Sequence, residues 1–503
     1  MMLARPSNGV EQLLGEAALA RHGQRLALIG GDERVTYAEL AHRVARSSAA
    51  LAVLGVRPGA RVLFLMRDTP TFAAAWLGAV RMGAVAVALN SKLSEVDYRH
   101  ILADSDARLV LVEDVFARAR PDLNEELARS RRLVVSGSPS PDVPCWEDLL
   151  SRAVRAAPCE ATPESPAFLL YSSGTTGRPK GILHAHRAFG VVGGALRLLG
   201  IGEGARVVAT SKLFFAYGLE HGLLGPLAVG ATSILCADWP DAEALAGIVE
   251  REQPDALFSV PTLYRRLLSL PAAQAAALRA VRVVVSAGER LSPALVAQWR
   301  NAIGTELLNL YGMSETFCAC LVTPPGTSDG QSTGAALPGV ETRIEEGVLW
   351  VRHPSLADGY VNLPERTRES FRDGWFCTRD LFTEEGGILV HQGRADELMK
   401  IAGQWVHPAE VEAAVASLAE VAEAVCVAVP DADGLERLAL FLTARESAED
   451  AVRAAESACD AALPRHRRPK WIRAVAELPR TATGKVQRFR LRELLAGAAA
   501  DRG

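Results

Sequence analysis

No run of about 18 apolar residues occurs in the 503-residue chain, so nothing in it is expected to cross a membrane as a helix. The first 23 residues carry Glu11 and Glu16 and no long apolar stretch, which argues against a secretory leader. Charge of one sign is also lacking. The net charge is −4, which gives no electrostatic case for nucleic acid or an acidic membrane. The cationic run Arg465–Arg468 with Lys470 is short, lies among acidic helical segments, and reads as solvated surface. Eight cysteines (Cys145, Cys159, Cys236, Cys318, Cys320, Cys377, Cys426 and Cys459) lack the spacing of a secreted disulfide framework. Cys318 and Cys320 have no second pair or histidine cluster nearby, so a zinc site is not expected. Repeats and low-complexity tracts are missing as well. These absences point to a reduced, cytoplasmic protein with no nucleic-acid or membrane partner.

A chain of this length suggests about three structural units and can bury a large core without metal or disulfide staples. Through the first two thirds, short apolar runs alternate with helical patterns. Arg61–Met66, Ala84–Leu89, Leu109–Val112, Ala167–Tyr171, Ala256–Val260, Val283–Ser286 and Glu306–Leu310 read as buried strands; Thr71–Met82 and Pro261–Leu268 read as helices. This alternation predicts an α/β fold with layered, largely parallel sheets. Past Tyr311, Glu341–Arg352 and Gly387–Gln392 look like short strands of a small β-barrel-like unit. After Arg394 comes a compact α+β unit: helices at Glu410–Leu418 and Ala448–Ala462, strands at Ala424–Val429 and Leu438–Thr443. The expected organisation is a large N-terminal domain over 1–394, subdivided near 160 and 330, and a small, mobile C-terminal domain over 395–503.

The strand ending at Tyr171 runs into Ser172-Ser173-Gly174-Thr175-Thr176-Gly177-Arg178-Pro179-Lys180-Gly181. Glycines let backbone N–H groups turn towards a phosphate, and hydroxyls and a lysine add donors. A Walker A loop needs Gly-Lys followed by Ser or Thr, whereas here Pro179 precedes Lys180 and Gly181 follows it. Downstream, Asn309-Leu310-Tyr311-Gly312-Met313-Ser314-Glu315-Thr316 also follows a strand. A carboxylate such as Glu315 beside a phosphate loop can hold Mg²⁺ through oxygen.

The loop resembles the signature of the acyl-adenylate-forming enzymes: acyl- and aryl-CoA synthetases, peptide-synthetase adenylation domains, and luciferases. The resemblance recurs in order from Val35-Thr36-Tyr37-Ala38-Glu39-Leu40 to Lys485. It implies activation of a small-molecule carboxylic acid with ATP and Mg²⁺, then transfer to coenzyme A. On it, Ser172, Ser173, Gly174, Thr175, Thr176, Gly177 and Lys180 hold the nucleotide phosphates, with Thr175 also catalytic. Glu315 sits near the metal, Tyr311 stacks on adenine beside Gly312 and Met313, and Ser314 touches the α-phosphate. Gly288 and Glu289, in Ser286-Ala287-Gly288-Glu289-Arg290, line the adenine pocket. Asp380, in Trp375-Phe376-Cys377-Thr378-Arg379-Asp380, accepts from both ribose hydroxyls; Arg379 stands where the family carries glycine. Arg394 contacts ribose, Asp396 is the hinge between the domains, and Gly403 borders the tunnel for the thiol arm. Lys485, in Pro479-Arg480-Thr481-Ala482-Thr483-Gly484-Lys485, lies between the acid's carboxylate and the α-phosphate and is catalytic.

Lys212-Leu213-Phe214-Phe215-Ala216-Tyr217-Gly218-Leu219 resembles the matching segment of benzoate–CoA ligases. It implies an aromatic acid, with Phe215 and Tyr217 as aromatic walls, Ala216 and Gly218 leaving room for a flat ring, and Ala287, Gly312, Met313, Phe317 and Cys318 as further lining. The sequence leaves open a carrier protein as acceptor, a ligase retaining only the thioester-forming half-reaction, a non-catalytic nucleotide binder, and a homodimer.

Overall fold

The computed structural model describes residues 8–138, 142–173, 178–401, 404–416, 418–431, 434–480 and 486–500. The chain divides into two compact units. One comprises Met1–Arg343, Trp350–Cys377 and Glu384–Val390, and the other Ile344–Leu349, Thr378–Thr383 and His391–Gly503.

Two large twisted sheets organise the first unit. The nine-stranded sheet has at its centre the parallel strands Leu307–Tyr311, Val283–Ser286, Ala256–Ser259, Arg206–Ala209, Thr232–Leu235 and Leu26–Gly30, in that spatial order. The central strands are buried on both faces, as the unbroken apolar runs require. The seven-stranded sheet runs Gly359–Tyr360, Pro179–Ala185, Pro166–Ser173, Val85–Ala88, Arg61–Leu65, Leu109–Glu113, Leu133–Ser136. All seven strands expected from sequence are present, each end within two residues of the expected one. Antiparallel pairs occur towards the sheet edges, and one of them forms the glycine-rich hairpin. The strand Pro179–Ala185 returns antiparallel to Pro166–Ser173, pairing Ser172 with Lys180 and Ser173 with Pro179. The glycine-rich loop therefore joins two strands, with Ser172, Ser173, Lys180 and Gly181 inside them.

Helix Tyr37–Val53 shows why part of the family-like pattern recurs. Thr36 caps it, accepting from the Glu39 N–H at 3.2 Å, while Glu39 accepts from the Thr36 N–H at 2.8 Å. This reciprocal capping box contributes about 1 kcal/mol. Tyr37, buried, donates to the Ala231 carbonyl at 2.8 Å and fixes the helix start to the nine-stranded sheet. Helix Pro70–Arg81 packs Trp76 against Phe168 with ring centroids 5.6 Å apart. Burying such a side chain stabilises by roughly 1.5–3 kcal/mol.

In the second unit, Val421–Pro430 and Glu436–Ala444 pair antiparallel, and Trp471–Ala474 joins parallel to Glu436–Ala444. Helices Pro408–Val415 and Ala448–Ala462 cover this sheet, burying Val411, Val415, Ala451 and Ala455. The cationic run is matched by acidic neighbours: Arg468 bonds Asp460 at 2.8 Å, Lys470 bonds Asp431 at 3.1 Å, and Arg467 pairs with Glu410. Among the described residues no helix is long and apolar enough to cross a membrane.

Candidate active site

Ligands in open α/β sheets collect beyond the carboxyl ends of the strands. Tyr311 ends one central strand, and the segment after it folds back through its own backbone. The Cys320 N–H donates to the Tyr311 carbonyl at 2.8 Å, and the Thr316 hydroxyl accepts from the Met313 N–H at 3.1 Å. This tight turn leaves Tyr311, Met313 and Ser314 half-buried, Gly312 exposed and Glu315 buried.

Glu315 is where the two sheets meet chemically. Its Oε1 accepts from Lys180 Nζ at 2.7 Å and from the Tyr360 hydroxyl at 2.9 Å. Lys180 comes from the return strand of the loop hairpin, and its ammonium also lies 4.1 Å from the Tyr360 ring centroid, a cation–π contact. His184, on the same strand, is paired through Nε2 with the Ser314 carbonyl at 2.9 Å. Burial alone would push the Glu315 carboxyl up, but the Lys180 charge and the hydrogen bonds from Lys180 and Tyr360 hold it below its ordinary value. Glu315 is thus kept ionised, with both contacts on a single oxygen. That suits Mg²⁺, which keeps several waters and takes one or two carboxylates along with phosphate oxygens. No cluster of three or more acidic, histidine or cysteine ligands occurs among the described residues. Sequence reading assigned Lys180 to the phosphates and Glu315 to the metal, and missed that they bond each other. Tyr360, in an edge strand of two residues, gave no signal at all.

Gly288 is exposed with φ of +85°, a left-handed conformation that favours glycine, and it turns the chain at the end of Val283–Ser286. Glu289 beside it accepts from the Thr262 hydroxyl at 3.1 Å. Ala287 is buried, its N–H donating to the Ser259 carbonyl at 3.2 Å.

The aromatic segment divides in two. Phe215 packs edge-on against Phe214 and Trp239, at centroid distances of 4.5 and 6.3 Å. Tyr217 instead donates to the Val285 and Ser259 carbonyls at 3.2 and 3.3 Å, at the ends of two central strands. Ala216 is buried between them in sequence. Gly218 has a different reason from the expected one. A Cβ there would lie 2.2 Å from the Lys212 carbonyl oxygen and 2.4 Å from that of Ser211, so the backbone itself excludes a side chain. Phe317 and Cys318 are buried, and Phe317 has φ of +56°. For a bulky non-glycine residue that costs of order 1–3 kcal/mol.

Lys212, at the head of this segment, is a structural cation. Its Nζ donates to the carbonyls of Ala237 (2.9 Å), Asp238 (2.7 Å) and Cys236, and lies 3.6 Å from buried Asp68. Lys212→Ala is expected to destabilise the protein by about 3–5 kcal/mol, because it strands a buried carboxylate and three carbonyls. Urea denaturation of the variant checks this; a loss below about 1 kcal/mol contradicts it.

In the second unit, Arg394 bridges two carboxylates. It binds Asp396 through Nε (2.8 Å) and Nη2 (2.9 Å), and Asp380 through Nη1 (3.0 Å). Asp380 is buried, and its N–H donates to the Thr378 hydroxyl at 3.1 Å. The structure thus brings together Asp380, Arg394 and Asp396, named from sequence as ribose contacts and hinge. The hydrogen bonds it donates to Asp396 push the Arg394 guanidinium up, the nearby carboxylates adding to the effect. Arg379 has φ of +60°, the backbone conformation that explains a glycine at this position. Arg379→Gly is expected to raise stability by about 1 kcal/mol by relieving that strain, read as a higher urea midpoint. Gly174, Thr175, Thr176, Gly177, Gly403 and Lys485 lie outside the described residues.

The sequence pattern of the AMP-binding enzymes matches residues 15–361, and that of the AMP-binding enzyme C-terminal domain matches 410–485. The chain belongs to the AMP-binding enzyme family, the acyl-adenylate-forming superfamily. Within it the chain is similar to aryl-CoA ligases. It is 40% identical to the 3-hydroxybenzoate–CoA ligase of Aromatoleum sp. (strain CIB), across 97% of both chains. It is 35% identical to the benzoate–CoA ligase of Thauera aromatica, across 96% of this chain and 95% of that one. Among solved structures, an anthranilate–CoA ligase in complex with anthranoyl-AMP superposes with a TM-score of 0.89, at 29% identity and 99% coverage of both chains. A benzoate–CoA ligase from Burkholderia xenovorans LB400 superposes at 0.85, at 32% identity, covering 96% of this chain and 99% of that one.

Proposed function

We propose that the protein is an AMP-forming acid–thiol ligase that activates an aromatic carboxylic acid with ATP and passes the aroyl group to coenzyme A. The observation that carries the reading is the Lys180–Glu315–Tyr360 cluster, which sets a buried, ionised carboxylate beside the glycine-rich hairpin. The similarity to ligases named for benzoate and hydroxybenzoates supports an aromatic acid.

In the first step, a carboxylate oxygen of the acid attacks the α-phosphorus of ATP and the bond to pyrophosphate breaks. Ser172, Ser173 and residues 174–177 supply donors to the phosphates, Thr175 among them carrying part of the charge stabilisation. Glu315 would hold Mg²⁺, which would supply positive charge against the phosphates. Tyr311, Gly312, Met313, Gly288 and Glu289 seat the adenine, Ser314 meets the α-phosphate, and Asp380 with Arg394 holds the ribose diol. Two acceptor oxygens on one carboxylate suit two adjacent hydroxyls. Lys485 lies between the two anions as they meet, a compact charge with rotatable donors. In the second step the sulfur of CoA attacks the acyl carbon and AMP departs. Asp396 is the hinge that exchanges Lys485 for the thiol path past Gly403. Residues 1–394 form the acid- and ATP-binding domain and 395–503 the lid. All eight cysteines are unpaired thiols, in keeping with a cytoplasmic enzyme.

Pyrophosphate release across a panel of aromatic, fatty and amino acids, with CoA present and absent, tests the reading. Release with benzoates, followed by thioester when CoA is added, is expected. Turnover confined to fatty or amino acids refutes it.

A further inference from the structure

One helix that the proposed chemistry leaves out grips the glycine-rich hairpin. Helix Glu95–Asp104 is capped by Ser94, whose hydroxyl accepts from the Asp97 N–H at 3.2 Å, and is seated by buried Tyr98 and Ile101. His100 and Asp104 are one helical turn apart, so they share a face. Each reaches a different stem of the hairpin.

His100 Nε2 lies 2.8 Å from the Pro179 carbonyl oxygen, on the return strand. A carbonyl only accepts, so Nε2 donates whether the ring is neutral or charged. Pro179 faces Ser173 in the last pair before the loop. Proline has no N–H, so its carbonyl is the one main-chain group by which this stem end can be hydrogen-bonded. On the outgoing strand the Tyr171 hydroxyl donates to Asp104 Oδ2 at 2.7 Å. Burial and the bond to Asp104 raise that hydroxyl well above its ordinary pKa, so it stays a donor. Tyr171 faces Gly181 in the ladder, and its ring lies over that glycine. A Cβ on Gly181 would come 3.0 Å from Tyr171 Cζ and 3.1 Å from its hydroxyl oxygen.

Asp104 also holds a third piece. Its Oδ1 and its main-chain carbonyl each accept from the Asn362 side-chain amide at 3.0 Å. Asn362 lies just beyond the edge strand Gly359–Tyr360, whose tyrosine bonds Glu315. Between them the Val361 N–H donates to the Gly181 carbonyl at 2.8 Å. Lys180, the partner of Glu315, directly follows the proline that His100 holds. One helix face therefore ties down both stems of the hairpin and the strand that orients the Glu315 carboxylate.

We infer that His100 and Asp104 are positioning residues for the adenylating half-reaction, setting the place of the phosphate-holding hairpin against Glu315 and acting through the hairpin, not on the nucleotide. The inference rests on the ATP-activating reading of that hairpin. Misplacing reacting groups by about 1 Å can cost about 10²-fold in rate. Pyrophosphate has left before the thiol attacks, so the second half-reaction draws little on the same placement.

The test uses the full chain and two assays: acid-dependent exchange of pyrophosphate into ATP, and CoA-thioester formation from synthetic benzoyl-adenylate. His100→Ala is expected to lower kcat for exchange by about 10-fold or more, with the KM for the acid and the thioester rate each within about 2-fold. His100→Gln places an amide N–H near the same point and is expected to recover most of the lost exchange. Tyr171→Phe keeps the ring over Gly181 and removes only the donor to Asp104. It is expected to lower exchange alone, by about 5-fold, and it carries the test where thermal melting shows His100→Ala to be unfolded. Unchanged exchange in the folded variants overturns the proposal. So do equal losses in both half-reactions, the mark of a merely structural role, and a His100→Gln protein no better than His100→Ala. An unmodified protein that shows no acid-dependent exchange with any acid of the panel removes the ATP-activating reading beneath it instead.

Discussion

Lys485→Ala is expected to cut acid-dependent exchange of pyrophosphate into ATP by about 10³-fold, while thioester formation from pre-formed aroyl-adenylate falls by less than about 10-fold. The magnitude follows from the charges. A carboxylate and a phosphate oxygen approaching to about 4 Å repel by about 4 kcal/mol at an effective dielectric near 20. That is close to three powers of ten in rate. An ammonium between them cancels most of it at the moment of bond formation, as preorganised charge does in other sites. The second half-reaction forms no bond to phosphorus, so the lysine has no matching part in it. Isotope exchange and a CoA-release assay with synthetic adenylate separate the two half-reactions. Full exchange in the variant contradicts the assignment, and equal loss in both half-reactions points to a general folding role.

Glu315→Gln is expected to lower kcat/KM for ATP by about 10²-fold or more and to raise the Mg²⁺ concentration needed for half-maximal rate. The amide keeps the shape of the side chain and a bond to Tyr360, but not the charge that holds Lys180. The half-buried Lys180 ammonium loses this counter-charge, so the variant is expected to be less stable as well, by about 1–3 kcal/mol. Lys180→Met combined with Glu315→Gln is expected to restore much of that stability while leaving the rate low. A double-mutant cycle in urea therefore separates the pair's structural part from its catalytic part. Acid titration gives a second check. The folded-state carboxyl of Glu315 lies below its ordinary 4.5, so its stabilisation is present above that value and is lost as pH falls through the lower, folded one. A Glu315→Gln protein that keeps its Mg²⁺ dependence removes the metal role.

Much of this was legible in the chain. The buried strands announced themselves as β-branched runs bounded by turns, and their apolar faces left one arrangement in layers. The site motifs were legible because each joins unusual backbone to a charged or hydroxyl side chain, as at Gly288 and Asp380. Pairings were not. Lys180 and Glu315 are 135 residues apart, and nothing local to either names the other. Pro179-Lys180-Gly181 has the composition of a loop, yet the ladder to Tyr171–Ser173 draws it into a strand, an outcome set by partners and not by propensity. Gly218 was credited to a ligand when two backbone carbonyls already require it. Lys212 read as one letter of a motif, although four oxygens converge on its ammonium.

The hairpin around residues 174–178 has a bearing on how the nucleotide is governed. Where a phosphate loop opens a helix, aligned peptide dipoles furnish a permanent field that cannot be switched off. Here the chain leaves as a strand, which has almost no net dipole. Compensation for phosphate charge then falls to ammonium groups on long stems. Under the proposed function Lys485 is such a group, which rotation about Asp396 withdraws before the thiol arrives.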